Sequence, residues 1–258
     1  MPYSKERIQD LARHYGLTIQ ELRELQTACV RACDGIDNPS VLEHLTHGAG
    51  RRLSVLIRAI ENSFYILDPE LTRPLERDAL VDLQINLHAF LINIVGIFDN
   101  WAWCFCFRHN LADVLENQTN VDLFKRNLQS KLPAPLRDHL TQESTRTWHK
   151  RYLKNYRDAL AHRIPPYIPP SRIDPSDADR YRALEAERTP CILAGNWERL
   201  EQIKVETEAL EHPVFAFLHS YSVDSGPKPI VLHPQLLSDA MTVTEFGRKF
   251  MAHWHERA

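Results

Sequence analysis

The chain has 258 residues, of which 43% are hydrophobic and 25% charged, and a formal net charge of −3. These are ordinary values for a globular protein, with enough chain for one large core or two small ones. Eight glycines are too few for the many tight turns of a barrel or sandwich, and a negative net charge means that any nucleic-acid site must be a local patch.

Residues Met1 to Arg7 hold no apolar core of a signal peptide, so a cytoplasmic protein is expected. Ser4 to Cys33 is expected as two short helices, a hairpin domain over 1–40. The joint is Tyr15-Gly16-Leu17-Thr18, and the second helix opens on the capping box Thr18-Ile19-Gln20-Glu21. The joint is similar to a helix-turn-helix, but Glu21 and Glu24 make the second helix a poor DNA reader, and an ordinary hairpin is expected. The five cysteines, Cys29, Cys33, Cys104, Cys106 and Cys191, have no framework spacing and are expected as buried thiols in a reducing cytosol.

Val41 to Leu67 should be helical, with a weak point near Gly48 and Gly50, and Asp68 to Pro74 should end it. Leu75 to Asn110 follows as a long helix. Its stretch Phe90 to Phe107 is apolar on nearly every side but contains Asn93, Asp99 and Asn100, so a central bundle helix is expected and not a membrane span. A shorter helix is expected over Asn120 to Leu132, then a helix from Leu136 to Ile164 stopped by Pro165-Pro166. Together these make a core over 41–168. The extension, 169–258, should hold helical segments over Asp177 to Leu210, broken near Pro190 and Gly195. A β-hairpin should follow from Val214 to Ser222 and Ile230 to His233 with a turn at Asp224 to Pro229, then a last helix from Gln235. The expected fold is mainly α, a helical bundle with a small C-terminal β-hairpin.

The helix ending at Ile164 carries the strongest chemical signal. Between Arg146 and Arg163 lie six cations, Arg146, Lys150, Arg151, Lys154, Arg157 and Arg163, against one acid, Asp158, a local charge of +5. On a helical wheel they share a polar arc with His162, while Trp148, Tyr152, Tyr156 and Leu160 lie opposite, so these aromatics should be largely buried and Lys150 and Lys154 accessible. Cations favour a helix C-terminus, which accounts for Arg157 and Arg163 but poorly for Arg146; an anion site for a phosphodiester backbone accounts for all. Asp158 and His162 are one turn apart, so the carboxylate can orient the imidazole. Arg157 lies on the same arc at some distance from His162. A guanidinium to hold phosphate and an imidazole to move a proton suffice for metal-free RNA transesterification.

The segment Arg157-Asp158-Ala159-Leu160-Ala161-His162 resembles the Arg-polar-x3-His motif of the HEPN superfamily of helical domains, at the end of an amphipathic helix and before a proline stop. Asp99-Asn100-Trp101-Ala102-Trp103 looks like an Asp-x-x-Ala-Trp pattern of related helical families. The resemblance covers Val41 to Pro170 and implies a metal-independent, cofactor-free endoribonuclease of toxin–antitoxin or defence type. It implies RNA as substrate, an antitoxin or other protein partner, and a homodimer whose two motifs share one cleft. Arg157 would bind the scissile phosphate, His162 would serve as general acid or base, and Asp158 would tune it. Arg146, Lys150, Arg151, Lys154 and Arg163 would hold the RNA backbone. The alternative within the same family is a catalytically inert module that binds nucleic acid or a protein partner.

Other constellations are weaker. His44 and His47 with Glu43, or His253 with His255, lack a complete metal-ligand set, so no metal is expected. Asp99, in an apolar helix, needs a partner and is expected to be structural, capping a neighbouring helix, with Arg157 or His162 as the other candidates. Glycine-rich phosphate loops, nucleophile elbows and Cys-x-x-Cys pairs are missing from the sequence.

Overall fold

A computed structural model of the chain describes residues 3–219, 226 and 228–256. They form a mainly α-helical bundle with two small antiparallel strand pairs. Helix α1 spans Lys5–Arg31 without interruption, so the break expected at Gly16 does not occur. Ser4 caps it, its hydroxyl accepting from the Arg7 N–H at 3.2 Å, whereas Thr18 is buried. A continuous inner stripe of Leu11, Thr18, Leu22, Leu25 and Cys29 explains this. Its burial outweighs the roughly 1 kcal/mol that one helical glycine costs.

After α2 (Pro39–Leu42) the chain passes through π-helical turns at Glu43–Gly50 into α3 (Arg51–Ile66). The weak point expected near Gly48 and Gly50 is this widened stretch. Helix α4 (Arg77–Arg108) buries Leu83, Leu87, Phe90, Ile94, Ile97 and Trp101. Among the described residues α4 is the one helix long and apolar enough to cross a bilayer; here it is the central helix of the bundle. It runs antiparallel to α3, with Asn62 donating to Asn86 at 3.0 Å at one end and Arg52 donating to Asn93 and Asn100 at the other.

The helix expected over Asn120 to Leu132 is not formed. Its place is taken by α5 (Ala112–Leu115), a 3-10 turn at Gln118–Asn120 and the single turn α6 (Arg126–Gln129). Asn117 and Asp122 accept the backbone N–H groups of Thr119 (3.1 Å) and Phe124 (2.8 Å), local bonds that favour turns over a helix. The single helix expected from Leu136 to Ile164 is also divided. Helix α7 (Ala134–Thr141) ends at Gln142, whose ψ of 140° is extended. Then α8 (Glu143–Thr147), π-helical turns at Trp148–Leu153 and α9 (Lys154–His162) continue as one rod. The bend at Gln142 lets α7 bury Leu136, His139 and Leu140 while the rod turns toward α4.

Beyond the prolines come β1 (Arg172–Ile173), α10 (Ala178–Leu193), α11 (Trp197–Glu208), β2 (Glu211–His212), β3 (Ala216–His219), β4 (Lys228–Val231) and α12 (Leu232–Ala252). The unanticipated β1–β2 pair closes the base of the α10–α11 pair, whose own small core is Leu184, Ile203 and Leu210. The anticipated hairpin is β3–β4, with Ala216 opposite Val231 and His219 opposite Lys228. Its second strand is shifted two residues toward the N-terminus: Pro229 lies in β4, where a two-stranded ribbon leaves room for a residue without an N–H, and His233 belongs to α12. Residues 220–225 and 227, which include the end of the expected first strand and part of the expected turn, lie outside the described residues.

Helix α12 runs parallel to α1. Tyr3 Oη meets His233 Nδ1 at 3.2 Å near their starts, and Arg248 pairs with Glu24 at 3.1 Å further along. Between them a Cβ on Gly247 would stand 2.5 Å from Leu25 and 2.9 Å from Trp101 of α4, so the three helices meet on this glycine. One apolar cluster extends from Leu11 to Trp254 and draws on 1–40, 41–168 and 169–258 alike. Gly247→Val should therefore lower stability by about 1–3 kcal/mol or more, as overpacking of a dense core does. Urea unfolding checks this; an unchanged midpoint would show that the junction is loose.

Candidate nucleic-acid interface

The rod of α8, the π-helical turns and α9 presents the basic run. Its inner face is fixed by Leu153, Tyr156 and Ala159, all buried, with Trp148 and Tyr152 half-buried beside them. The wheel thus overstates the burial of those two rings. Its fixed 100° step does not hold across π turns, where the backbone bonds run from i to i+5 and the turn is wider. Lys150 and Lys154 are exposed, as expected.

Two anchors hold the rod. Trp148 Nε1 donates to Asp239 of α12 at 2.9 Å, and its ring packs 5.6 Å from Phe98 of α4. Tyr156 packs on the β3 strand, with ring centroids 6.1 Å from Phe217 and 4.9 Å from His219. The C-terminal hairpin therefore supports the basic helix directly. The proline connector is tied to α4 as well: His88 Nε2 lies 2.8 Å from the Pro166 carbonyl, and Gln84 accepts from the Ile168 N–H at 2.8 Å.

The cations divide into two groups. Arg146, Lys150 and Arg151 line a shallow groove of about 220 Å³ together with Glu143 and Thr147. Lys154 and Arg157 line a deeper cleft of about 410 Å³ with Asp99, Asp122, His149 and Lys125. Among the described residues, Arg146, Lys150, Arg151 and Lys154 form no ion pair with a carboxylate. Arg163 is apart from both groups: it is half-buried, and its guanidinium folds back to donate to the Asn155 carbonyl at 3.2 Å.

Within the motif, Arg157 pairs with the adjacent Asp158 at 3.3 Å. His162 is exposed in the last turn of α9 and lies outside the cleft lining. The structure thus joins Arg157 to Asp158 and leaves His162 one helical turn away. Among the described residues no helix is capped by Asp99, correcting that expectation; it lines the cleft that Arg157 lines. Although Asp99 is exposed as a residue, its carboxyl is crowded by the cleft walls. That burial raises its pKa, with Asp122 adding to the rise and Arg157 and Arg52 opposing it.

His149 and Asp122 are cleft residues that sequence reasoning missed. His149 sits inside a basic run with no motif around it, and Asp122 falls where a helix was expected. The His149 ring stacks on Phe124 at 3.6 Å with an interplanar angle of 6°. Burial, reinforced by Lys154, Arg157 and Lys150, brings its pKa down to about 4, so it is neutral at pH 7 and can accept a proton or a hydrogen bond. No family model, curated protein or solved structure matches the chain significantly.

Asp239, fully enclosed under Trp148, has its carboxyl pushed up to about 6 by burial, against an ordinary 3.8. The folded protein therefore holds a proton that the unfolded chain releases earlier. The associated stability is complete below pH 3.8 and is lost as pH rises through about 6. Asp239→Asn keeps an acceptor for the indole and removes the ionisation. It should melt with the wild type near pH 4 and above it at pH 7.5; a difference that does not change with pH would show that Asp239 does not titrate in this range.

Proposed function

We propose that the chain is a HEPN-like, metal-independent endoribonuclease that binds RNA along the exposed face of α8 and α9. The observation that carries this reading is a row of four exposed cations that outnumber the acids beside them and form no ion pair among the described residues, leading to a cleft that contains Arg157. An ordinary solvated helix face would be expected to intersperse acids with its bases. A phosphodiester supplies the missing counter-charges, and binding would release its counterions.

In this reading the scissile phosphate sits on the Arg157 guanidinium. It competes there with Asp158, which is then free to reach His162 one turn on. The 2′-oxygen of the substrate attacks phosphorus as its proton leaves, the bond from phosphorus to the 5′-oxygen breaks, and that oxygen gains a proton. His162 performs one of these two transfers. The products are a 2′,3′-cyclic phosphate and a 5′-hydroxyl. Lys154 holds the backbone next to Arg157, and Arg146, Lys150 and Arg151 hold it further along.

The second reading, an inert module that binds nucleic acid or a protein, is favoured by one observation: the Asp158 carboxylate is engaged by Arg157 and not by His162. Incubation of the purified protein with mixed RNA in EDTA separates the two. The nuclease reading predicts cyclic-phosphate ends, with cleavage abolished in His162→Ala while RNA binding persists, and both impaired in Arg157→Ala. Salt-sensitive binding without cleavage supports the inert module. Neither binding nor cleavage leaves the basic face as a solvated surface.

We also propose a homodimer in which α4 of each copy contributes to the interface. Val81, Ile85 and Ile92 are exposed at helical spacing along one face of α4. An apolar stripe of this kind is better covered than left in water. The double variant Ile85→Glu, Ile92→Glu should convert a dimer to a folded monomer by light scattering. A wild type that is already monomeric at micromolar concentration overturns this assembly.

A further inference from the structure

A second polar cavity lies on a different side of α4, where the π-helical turns at Glu43–Gly50 and the start of α3 face it. Its volume is about 410 Å³, within the range of roughly 300–1,000 Å³ common for small-molecule sites. Arg52 lines it, half-buried against the polar residues of α4. The guanidinium is held on two sides by neutral groups: Nε donates to Asn100 Oδ1 at 2.8 Å and one terminal nitrogen donates to Asn93 Oδ1 at 3.0 Å. Both amides are themselves held in orientation. Asn93 Nδ2 donates to the Ala89 carbonyl at 2.7 Å, and Asn100 Nδ2 lies 3.2 Å from His44 Nδ1. His44 in turn stacks on Trp103 and Phe107.

Two glycines make this arrangement fit. A Cβ on Gly96 would overlap the Arg52 guanidinium, and one on Gly48 would stand 2.5 Å from Asn100. The π-helical turns bring His44, His47, Gly48, Arg51 and Arg52 onto the cavity together. Such turns often occur at functional sites. Among the described residues no carboxylate ion-pairs with Arg52 or Arg51, and the second terminal nitrogen of Arg52 has no acceptor. Asp99 acts on Arg52 only from a distance, so this partly buried, amide-held cation has no carboxylate in direct contact and can take an anion there. A bond serving only to fasten α3 to α4 would not need a second arginine beside it or a cavity in front of it.

We propose that this cavity binds a small hydroxylated phosphomonoester of sugar-phosphate type. Arg52 and Arg51 take the phosphate, whose several oxygens can accept from both guanidinium groups. Glu43 and His47 at the same cavity face the hydroxyls, the carboxylate accepting from them. Val55 is the one large apolar side chain in the lining, which leaves no wall for an acyl chain or an aromatic ring. The assignment is independent of the ribonuclease reading, because none of its residues lines the Arg157 cleft.

Titration calorimetry on the full chain tests it, with ribose 5-phosphate, inorganic phosphate, ribose and ribonate as ligands. Ribose 5-phosphate should bind, inorganic phosphate more weakly, and ribose not at all; bound ligand should also raise the melting temperature. Arg51→Ala, an exposed position, should weaken binding by at least about tenfold, as loss of a charge-assisted bond does. Asn93→Asp puts a carboxylate next to Arg52, which should abolish binding while the helices stay joined. No binding of ribose 5-phosphate at millimolar concentration overturns the proposal, as does equal binding of ribonate. Wild-type affinity in both variants overturns it too. Binding that is lost in Arg157→Ala but kept in Arg51→Ala would place the anion on the other face and overturn the assignment.

Discussion

The enclosure of α4 is the constraint on which the rest of the bundle depends. A helix of 32 residues that is apolar on nearly every side cannot be left in water. Helices α3, α9 and α12 all pack on it and α1 lies along α12, which leaves only the apolar stripe of Val81, Ile85 and Ile92 uncovered. Gly247 sets how closely these layers approach, since any larger residue would meet Leu25 and Trp101. The chain therefore brings its first and last long helices together as part of one core, and the 41–168 segment does not enclose α4 unaided.

The polar residues that interrupt α4 gain their meaning from the same enclosure. Asn93, Asp99 and Asn100 cannot all face one direction on a helix. Asn93 and Asn100 turn toward α3 and orient Arg52; Asp99 turns toward the rod and shares a cleft with Arg157. The central helix thus has two polar sides, separated by apolar contacts. Each carries arginines that its surroundings leave accessible to an anion, although Arg157 alone has an acid, Asp158, already engaged.

The basic rod shows how far a local pattern extends. Its charge run, its apolar face and its proline stop were legible in the sequence, because each depends on neighbours within a few turns. Arg146, Lys150, Arg151 and Lys154 are exposed as the pattern requires. Its division into a groove and a cleft was not legible. That division depends on the π turns at Trp148–Leu153, on the loop carrying Asp122 and on the hairpin under Tyr156, all of them long-range partners or irregular backbone. His149 stayed hidden for the same reason: its neutral state follows from burial against Phe124, which no spacing encodes.

The helical class, the long central helix, the β3–β4 hairpin and the concentration of positive charge between Arg146 and Arg163 can all be read from the residues in order, because periodicity, proline stops and charge are local properties. The same local reading misjudged α1, where Gly16 looked like a break, since a continuous stripe packed on distant helices outweighs one weak residue. It also misjudged 120–132, where Asn117 and Asp122 bond to the backbone and hold turns. Long-range packing set which polar side chains come together: Asp99 and Arg157 on the walls of one cleft, Arg52 bonded to Asn93 and Asn100 at another, and Trp148 bonded to Asp239 beneath the rod. Those pairings join residues 41 to 91 positions apart in sequence, and they arise only when burial of apolar surface has brought the helices together.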